Sequence, residues 1–127
     1  MTRNILDEAR IHPAIRAKIA GNHADIVREV ESATAANDVV VIGMKQNPIV
    51  RKARRALDAR AIPYQYLEYG SYINTWRRRN ALKMWTGWPT FPMIFVRSVL
   101  IGGTADLDRL IGSGELARML AAPTANG

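Results

Sequence analysis

The sequence predicts an α/β domain in which a mixed sheet of four strands is flanked by helices. Three patterns carry this prediction: a helical stripe of apolar residues within residues 22–37, an unbroken apolar run over residues 39–42, and two short apolar runs over residues 93–96 and 99–101. Strands joined through a helix should be parallel with a right-handed crossover, whereas strands joined by a short turn should be antiparallel. The sheet should therefore contain both kinds of pairing.

The first helix and the first strand follow from two different periodicities. Ile26, Val30 and Ala33 recur at helical spacing, which predicts an amphipathic helix over residues 22–37. Residues 39–42 are β-branched and apolar throughout, a pattern typical of a strand that is buried on both faces.

A second helix should begin at Asn47-Pro48. Asparagine caps helix N-termini well, and proline suits the first helical position. The Ile62-Pro63 pair should end this helix, and residues 64–69 alternate enough to form the next strand.

Glycine and proline divide the second half of the chain. The segment 88–92 contains two prolines and cannot form regular structure. The predicted elements are a helix over 72–85 that ends at Gly87, hairpin strands over 93–96 and 99–101, and short helices over 106–111 and 115–120. We divide the chain into an N-terminal helical extension at 1–23, the main domain at 24–121 and a flexible tail at 122–127.

The hairpin turn is formed by an unusual pair, Arg97-Ser98. A two-residue turn of type I′ requires a positive φ at both positions, which arginine and serine tolerate poorly. We therefore expect either a turn of another type or a contact elsewhere that holds this one.

The chain of 127 residues contains no cysteine. This excludes disulfides, thiolate catalysis, and zinc or iron–sulfur sites built on thiolates of this chain. The two histidines, His12 and His23, are eleven residues apart with no pattern of carboxylates between them, so we expect no metal site.

The net charge of +7 is concentrated in two segments. Residues 45–60 carry six basic side chains and one acid, and residues 76–88 carry four basic side chains and no acid. This indicates an anionic partner or ligand, or else a solvated basic face. The first residues include acids and lack an apolar core, and no apolar run of 18 residues occurs, so we expect a cytoplasmic location without a signal peptide or a membrane-spanning helix.

Three local motifs resemble those of one known family. They are Trp88-Pro89-Thr90-Phe91-Pro92, Gly102-Gly103-Thr104-Ala105-Asp106-Leu107 and Lys45-Gln46-Asn47-Pro48-Ile49-Val50. The first is similar to the Trp-Pro-Thr-x-Pro segment of monothiol glutaredoxins, whose last proline is cis. The second is similar to Gly-Gly-Cys-Asp-Asp-Leu, and the third to Lys-x-x-Cys-Pro-Tyr-Cys. Together with the predicted order of elements, they make residues 24–120 resemble the glutaredoxin family, nearest its monothiol type, which implies a thioredoxin-like fold.

The resemblance implies a site for glutathione or another small anion. Lys45 and Arg79 would face the glycyl carboxylate, and on the sequence alone both are expected to be exposed cations. Phe91 would offer its backbone N–H and C=O to the cysteinyl part, as if adding a short strand, with Thr90 and Pro92 beside it in the same loop.

The same resemblance places the γ-glutamyl end of the ligand at the second of these motifs, the one that begins at Gly102. Gly103, Thr104, Ala105 and Asp106 would hold it at a helix N-terminus, where backbone donors and the helix dipole favour a carboxylate. Ala105 stands where the family often has an aspartate that meets the ammonium of glutathione. Losing such a charge-assisted hydrogen bond costs about 1.5–3 kcal/mol, and we expect Asp106 to compensate in part.

The departures from the family remove its usual chemistry. Asn47 stands at the position of the nucleophilic cysteine, Val50 at that of the resolving cysteine and Thr104 at that of the third cysteine. Thiol–disulfide exchange requires a thiolate, so conventional glutathione-disulfide oxidoreductase activity is excluded, as is cluster assembly of the monothiol type. Asn47 can also be a simple helix cap, and both roles stay open.

We therefore expect a glutaredoxin-like protein without the redox-active cysteine and with no required cofactor. It would be a non-catalytic module that binds glutathione or a small anion, or a regulatory module, linked to redox homeostasis. The alternative is a protein-partner adaptor that uses the degenerate cleft and residues 1–23. Nucleic-acid binding ranks last, because no reading motif accompanies the positive charge.

Overall fold

A mixed sheet of four strands forms the centre of the molecule, and helices pack against both of its faces. The computed structural model describes residues 2–70 and 76–122. In chain order, the elements are α1 (Pro13–Gly21), α2 (Ala24–Ala36), β1 (Val39–Gly43), α3 (Pro48–Ala59), β2 (Gln65–Glu68), α4 (Trp76–Thr86), β3 (Met93–Val96), β4 (Val99–Gly102), α5 (Thr104–Gly112) and α6 (Glu115–Ala121).

The strands lie in the order β2-β1-β3-β4. β1 is parallel to β2 and antiparallel to β3, and β3 is antiparallel to β4. This confirms the predicted mixed sheet. The parallel pair is joined through α3, and the antiparallel pair β3–β4 is joined by a two-residue turn, as the spacing of the apolar runs predicts.

The core consists of two apolar clusters, one on each face of the sheet. Successive residues of a strand point to opposite faces, so β1 supplies both clusters. Val40 and Ile42 pack with α2 and α4, whereas Val39 and Val41 pack with α3, α5 and α6. β1 is buried along its whole length, which explains its unbroken apolar sequence.

The ends of several elements differ from their predicted positions. α2 begins at Ala24 rather than at residue 22, because His23 adopts a left-handed backbone with a φ of 49°. α5 begins two residues earlier than predicted, at Thr104. Residues 72–75 of the predicted third helix lie outside the described residues, as do residues 123–127 of the predicted tail.

The N-terminal extension contains a short helix, α1, and contacts the rest of the domain near the end of α4. Pro13 takes the first helical position of α1, and the Nδ1 atom of His12 accepts a hydrogen bond from the Ala14 amide at 3.1 Å. The guanidinium of Arg3 donates to the carbonyl of Thr86, the last residue of α4, at 2.8 Å. His12 is therefore a helix cap.

The β3–β4 turn has a positive φ at both positions, 52° at Arg97 and 67° at Ser98. This is the backbone of a type I′ turn, and long-range contacts hold it. The Arg97 guanidinium donates to the carbonyls of Leu120 and Ala122 at 2.7 and 3.1 Å, and it forms an ion pair with Asp38 at 3.1 Å. The expectation that a contact elsewhere holds this turn is confirmed, and the alternative of another turn type is wrong.

Candidate functional site

The predicted site, termed the cleft, lies where three chain segments meet: the start of α3, the loop before β3 and the start of α5. Thr104 is buried, and its hydroxyl donates to the Ile49 carbonyl at 2.8 Å, which joins the first turns of α5 and α3. The loop approaches α5 closely. A Cβ atom on Gly103 would lie 3.5 Å from the Pro92 carbonyl oxygen and 3.9 Å from the Trp88 ring.

Asn47 stands at the N-terminus of α3 with its side chain turned back onto the helix. Its Oδ1 atom accepts hydrogen bonds from the amides of Ile49 and Val50, at 2.9 and 3.1 Å, and Pro48 follows at the first helical position. The residue is largely buried. A neutral carboxamide thus occupies the positive end of the helix dipole, a position at which a thiolate would be stabilised.

Val50 is buried on α3 and lies against β1. A Cβ atom on Gly43 would meet its Cγ1 atom at 2.5 Å, so the strand can pass this side chain only where it carries a glycine. Val50 is therefore a packing residue in this structure.

Lys45 and Arg79 approach the same short stretch of backbone. The pairing of β1 with β2 continues past the ends of the strands. The Tyr69 amide donates to the Gly43 carbonyl at 2.9 Å, and the Lys45 amide donates to the Gly70 carbonyl at 2.7 Å. The guanidinium of Arg79 donates to the Tyr69 carbonyl at 3.1 Å. The side chain of Lys45 is exposed.

Arg79 differs from its prediction as an exposed cation, because it is only 5% exposed. The helical spacing of Arg77, Arg78 and Arg79 explains the difference, since successive residues point about 100° apart. Arg77 lies over the Trp76 ring, Arg78 pairs with Asp25 at 2.7 Å, and Arg79 points inward. Only one of the three arginines therefore reaches the Tyr69 backbone.

The loop before β3 presents backbone groups to the cleft. The peptide bond between Phe91 and Pro92 is cis. Both residues are buried, whereas Thr90 is exposed. Within residues 2–70 and 76–122, neither the N–H nor the C=O of Phe91 forms a hydrogen bond. The ring of Phe91 lies 5.7 Å from the ammonium of Lys83.

At the start of α5, the carboxylate of Asp106 is bound by neighbouring groups of the same helix and its N-cap residue. The Gly103 amide donates to Oδ2 of Asp106 at 3.0 Å, and the other oxygen of that carboxylate lies 3.7 Å from the guanidinium of Arg109. Ala105 is exposed and has no polar side-chain atom. Both oxygens of Asp106 thus already have partners, which weakens the expectation that it compensates for Ala105.

One contact of the cleft was missed by sequence reasoning, the bond between Thr104 and Ile49. It joins residues that are 55 positions apart, and no local sequence pattern predicts such a contact. Among the described residues, no cluster of histidine, aspartate and glutamate could hold a metal ion. No helix in the described parts of the chain has the length and apolar character needed to cross a membrane.

The fold and the cleft define a thioredoxin-like protein, and comparisons with known proteins give its family. No protein-family model matches the chain. A stretch of 94 residues is 44% identical to a glutaredoxin-like protein of Dictyostelium discoideum, covering 74% of this chain and 76% of that protein. The chain belongs to the glutaredoxin family.

Solved structures agree with this assignment. Oxidised glutaredoxin 2 of Chlamydomonas reinhardtii superposes with a TM-score of 0.67 at 27% identity, covering 78% of this chain and 94% of that one. The complex of buckwheat glutaredoxin with glutathione gives a TM-score of 0.67 over 78% of this chain and 90% of that one, and its 20% identity shows a shared fold alone. The resemblance noted in the sequence is thus confirmed at the level of family and fold.

Proposed function

We propose that this protein binds glutathione, or a small anion of related chemistry, in the cleft and does not exchange thiols with it. The observation that carries the proposal is the backbone of Phe91, which has no hydrogen-bond partner among the described residues although the residue is only 7% exposed. Buried backbone groups are nearly always paired. An extended peptide alongside Phe91 supplies both missing bonds, in the manner of an added strand.

The charges around the cleft suit a ligand with two anionic ends. At one end, the exposed ammonium of Lys45 lies next to the backbone that Arg79 contacts. At the other end, the N-terminus of α5 carries the positive pole of its helix dipole. A glutaredoxin with the same fold, that of buckwheat, has been solved as a complex with glutathione, which supports this class of ligand.

Exchange chemistry is excluded by composition. The chain has no cysteine, and the position of the nucleophile holds Asn47, whose carboxamide oxygen is engaged by two backbone amides. A carboxamide cannot attack a disulfide. Bound glutathione therefore leaves unchanged, which suits a carrier or a sensor rather than a reductase.

The start of α5 implies weak binding. Ala105 offers no carboxylate to the ligand's ammonium group, and both oxygens of Asp106 have partners within the protein. One missing charge-assisted hydrogen bond costs about 1.5–3 kcal/mol, and each 1.4 kcal/mol is a factor of ten in affinity.

The test is a titration with reduced glutathione followed by the backbone amide shifts of the protein. We expect saturable shifts at Lys45, Phe91, Gly103 and Thr104. The variant Ala105→Asp should bind about tenfold more tightly, because it supplies the missing carboxylate.

The matched control is Ala117→Asp, which adds the same charge at an exposed alanine of α6 and should leave the affinity unchanged. If neither the wild-type protein nor Ala105→Asp responds to millimolar glutathione, the proposal is wrong.

A further inference from the structure

A concave surface lies away from the cleft residues, between α1, α2 and α4. It is a groove with a volume of 570 Å³. This size falls within the range of about 300–1,000 Å³ that is typical of small-molecule sites. Its apolar lining comes from Ile19 of α1, Val27 of α2, and Ala81, Met84 and Trp85 of α4.

The floor of the groove is fixed and its walls are apolar. Ala81 belongs to the core on this face of the sheet, and Val27 packs against that core. The Trp85 ring stacks on Phe95 of β3, with ring centroids 6.2 Å apart, so one wall has a defined position. Ile19 and Met84 are 56% and 67% exposed, which leaves a contiguous apolar surface in contact with water.

All charged residues that line the groove are cations. They are Lys18 on α1 and Arg28 on α2, and in the described parts of the chain neither pairs with an acid. Asp25, the acid on α2 nearest to Arg28 on its N-terminal side, is already paired with Arg78 at 2.7 Å. The groove therefore combines an apolar surface with a positive rim.

We propose that this groove binds a small anionic amphiphile, an apolar chain or ring system that carries a carboxylate. The apolar body lies against Met84 and Trp85, and the carboxylate lies toward Lys18 and Arg28. Burial of apolar surface supplies the affinity, and the two cations select the sign of the head group. This site is independent of the glutathione proposal, since the two share no residue.

The test uses monomeric sodium decanoate as the probe, with decyltrimethylammonium as a cation of the same chain length. Decanoate should give saturable amide shifts in α1, α2 and α4 while the shifts of the central sheet residues stay constant, and the cation should bind at least about tenfold more weakly. Met84→Asp should weaken decanoate binding by about tenfold or more, because it places a negative charge against the apolar chain of decanoate and repels its carboxylate. Val99→Asp is the matched control, since Val99 is also an exposed apolar residue but lies on β4.

Charge reversal tests the rim. The double variant Lys18→Glu/Arg28→Glu should lose the preference for decanoate over the cation, whereas Lys52→Glu/Arg55→Glu, which reverses two exposed cations on α3, should keep it. Vesicles of phosphatidylglycerol distinguish a free amphiphile from a membrane surface. Vesicle binding without decanoate shifts, equal binding of both amphiphiles, or no loss on Met84→Asp would each overturn the proposal.

Discussion

Replacing Asn47 with cysteine tests whether the start of α3 can still stabilise a thiolate. The amides of Ile49 and Val50 donate to the Asn47 side chain at 2.9 and 3.1 Å, and a thiolate in its place would accept from both. Hydrogen bonds to a charged group contribute about 1.5–3 kcal/mol each, and the helix dipole adds about 0.3–1 kcal/mol. Burial of the site acts in the opposite direction and raises the pKa of the thiol.

These contributions give a definite direction. One pKa unit corresponds to about 1.36 kcal/mol, so the two hydrogen bonds and the dipole together lower the pKa of the thiol by about two to five units, and burial offsets part of this decrease. We expect the thiol of Asn47→Cys to have a pKa about one to three units below the free value of about 8.5. The variant should also lose about 1 kcal/mol of folding stability, because cysteine caps a helix less well than asparagine.

The assay is the pH dependence of alkylation by iodoacetamide. The matched control is Ala59→Cys, an exposed thiol at the C-terminal end of the same helix, where the dipole opposes the thiolate. A pKa in Asn47→Cys that equals or exceeds that of Ala59→Cys would refute the reasoning, because it would show that the amides do not reach the sulfur.

Three other features of the structure can be tested by single substitutions. Thr104→Val removes the hydrogen bond to the Ile49 carbonyl and should lower the free energy of unfolding in urea by about 1–2 kcal/mol; a loss below about 0.5 kcal/mol would contradict this. Arg97→Asn installs a residue that favours a type I′ turn, yet it should still cost about 1–2 kcal/mol, because the guanidinium no longer binds the Leu120 carbonyl; a more stable variant would show that this contact is dispensable. Burial and a neighbouring carboxylate raise the pKa of Tyr66 from 10.0 to about 12. The unfolded chain therefore loses this proton first, and stability should fall as the pH rises from 10.0 to about 12. The ionisation of the tyrosines can be followed by ultraviolet absorbance as the pH is raised. If the step near pH 12 disappears in Tyr66→Phe, it belongs to Tyr66, and if it is unchanged, the assignment is wrong.

The fold was predictable because its main signals are local. The run at residues 39–42 is apolar on both faces, and the structure buries β1 from both sides. The Asn47-Pro48 pair predicts the start of α3, and Asn47 caps that helix as expected. α5 begins earlier than predicted because Asp106, expected to start the helix, is instead its third residue and accepts a hydrogen bond from the Gly103 amide.

The cleft was predictable as a set of segments but not as a set of contacts. The motifs placed Asn47, Phe91 and Thr104 together, and the structure brings their segments to one cleft. The burial of Arg79 could not be anticipated from three consecutive arginines, because the sequence does not say which one faces inward. The turn at Arg97 was ambiguous for a different reason, because the residues that hold it lie more than twenty positions away along the chain.

The residue that caps α3, Asn47, cannot be oxidised to a disulfide, so the cleft has the same chemical surface under reducing and oxidising conditions. Where a cysteine holds this position, the surface that a ligand meets changes each time the sulfur enters a disulfide. The carboxamide undergoes no such change, and the chain has no cysteine that could form a disulfide. A shift in the cellular thiol–disulfide balance therefore leaves the walls of this cleft unaltered. Any response of binding to that balance has to come from the ligand, through the relative amounts of its own reduced and oxidised forms.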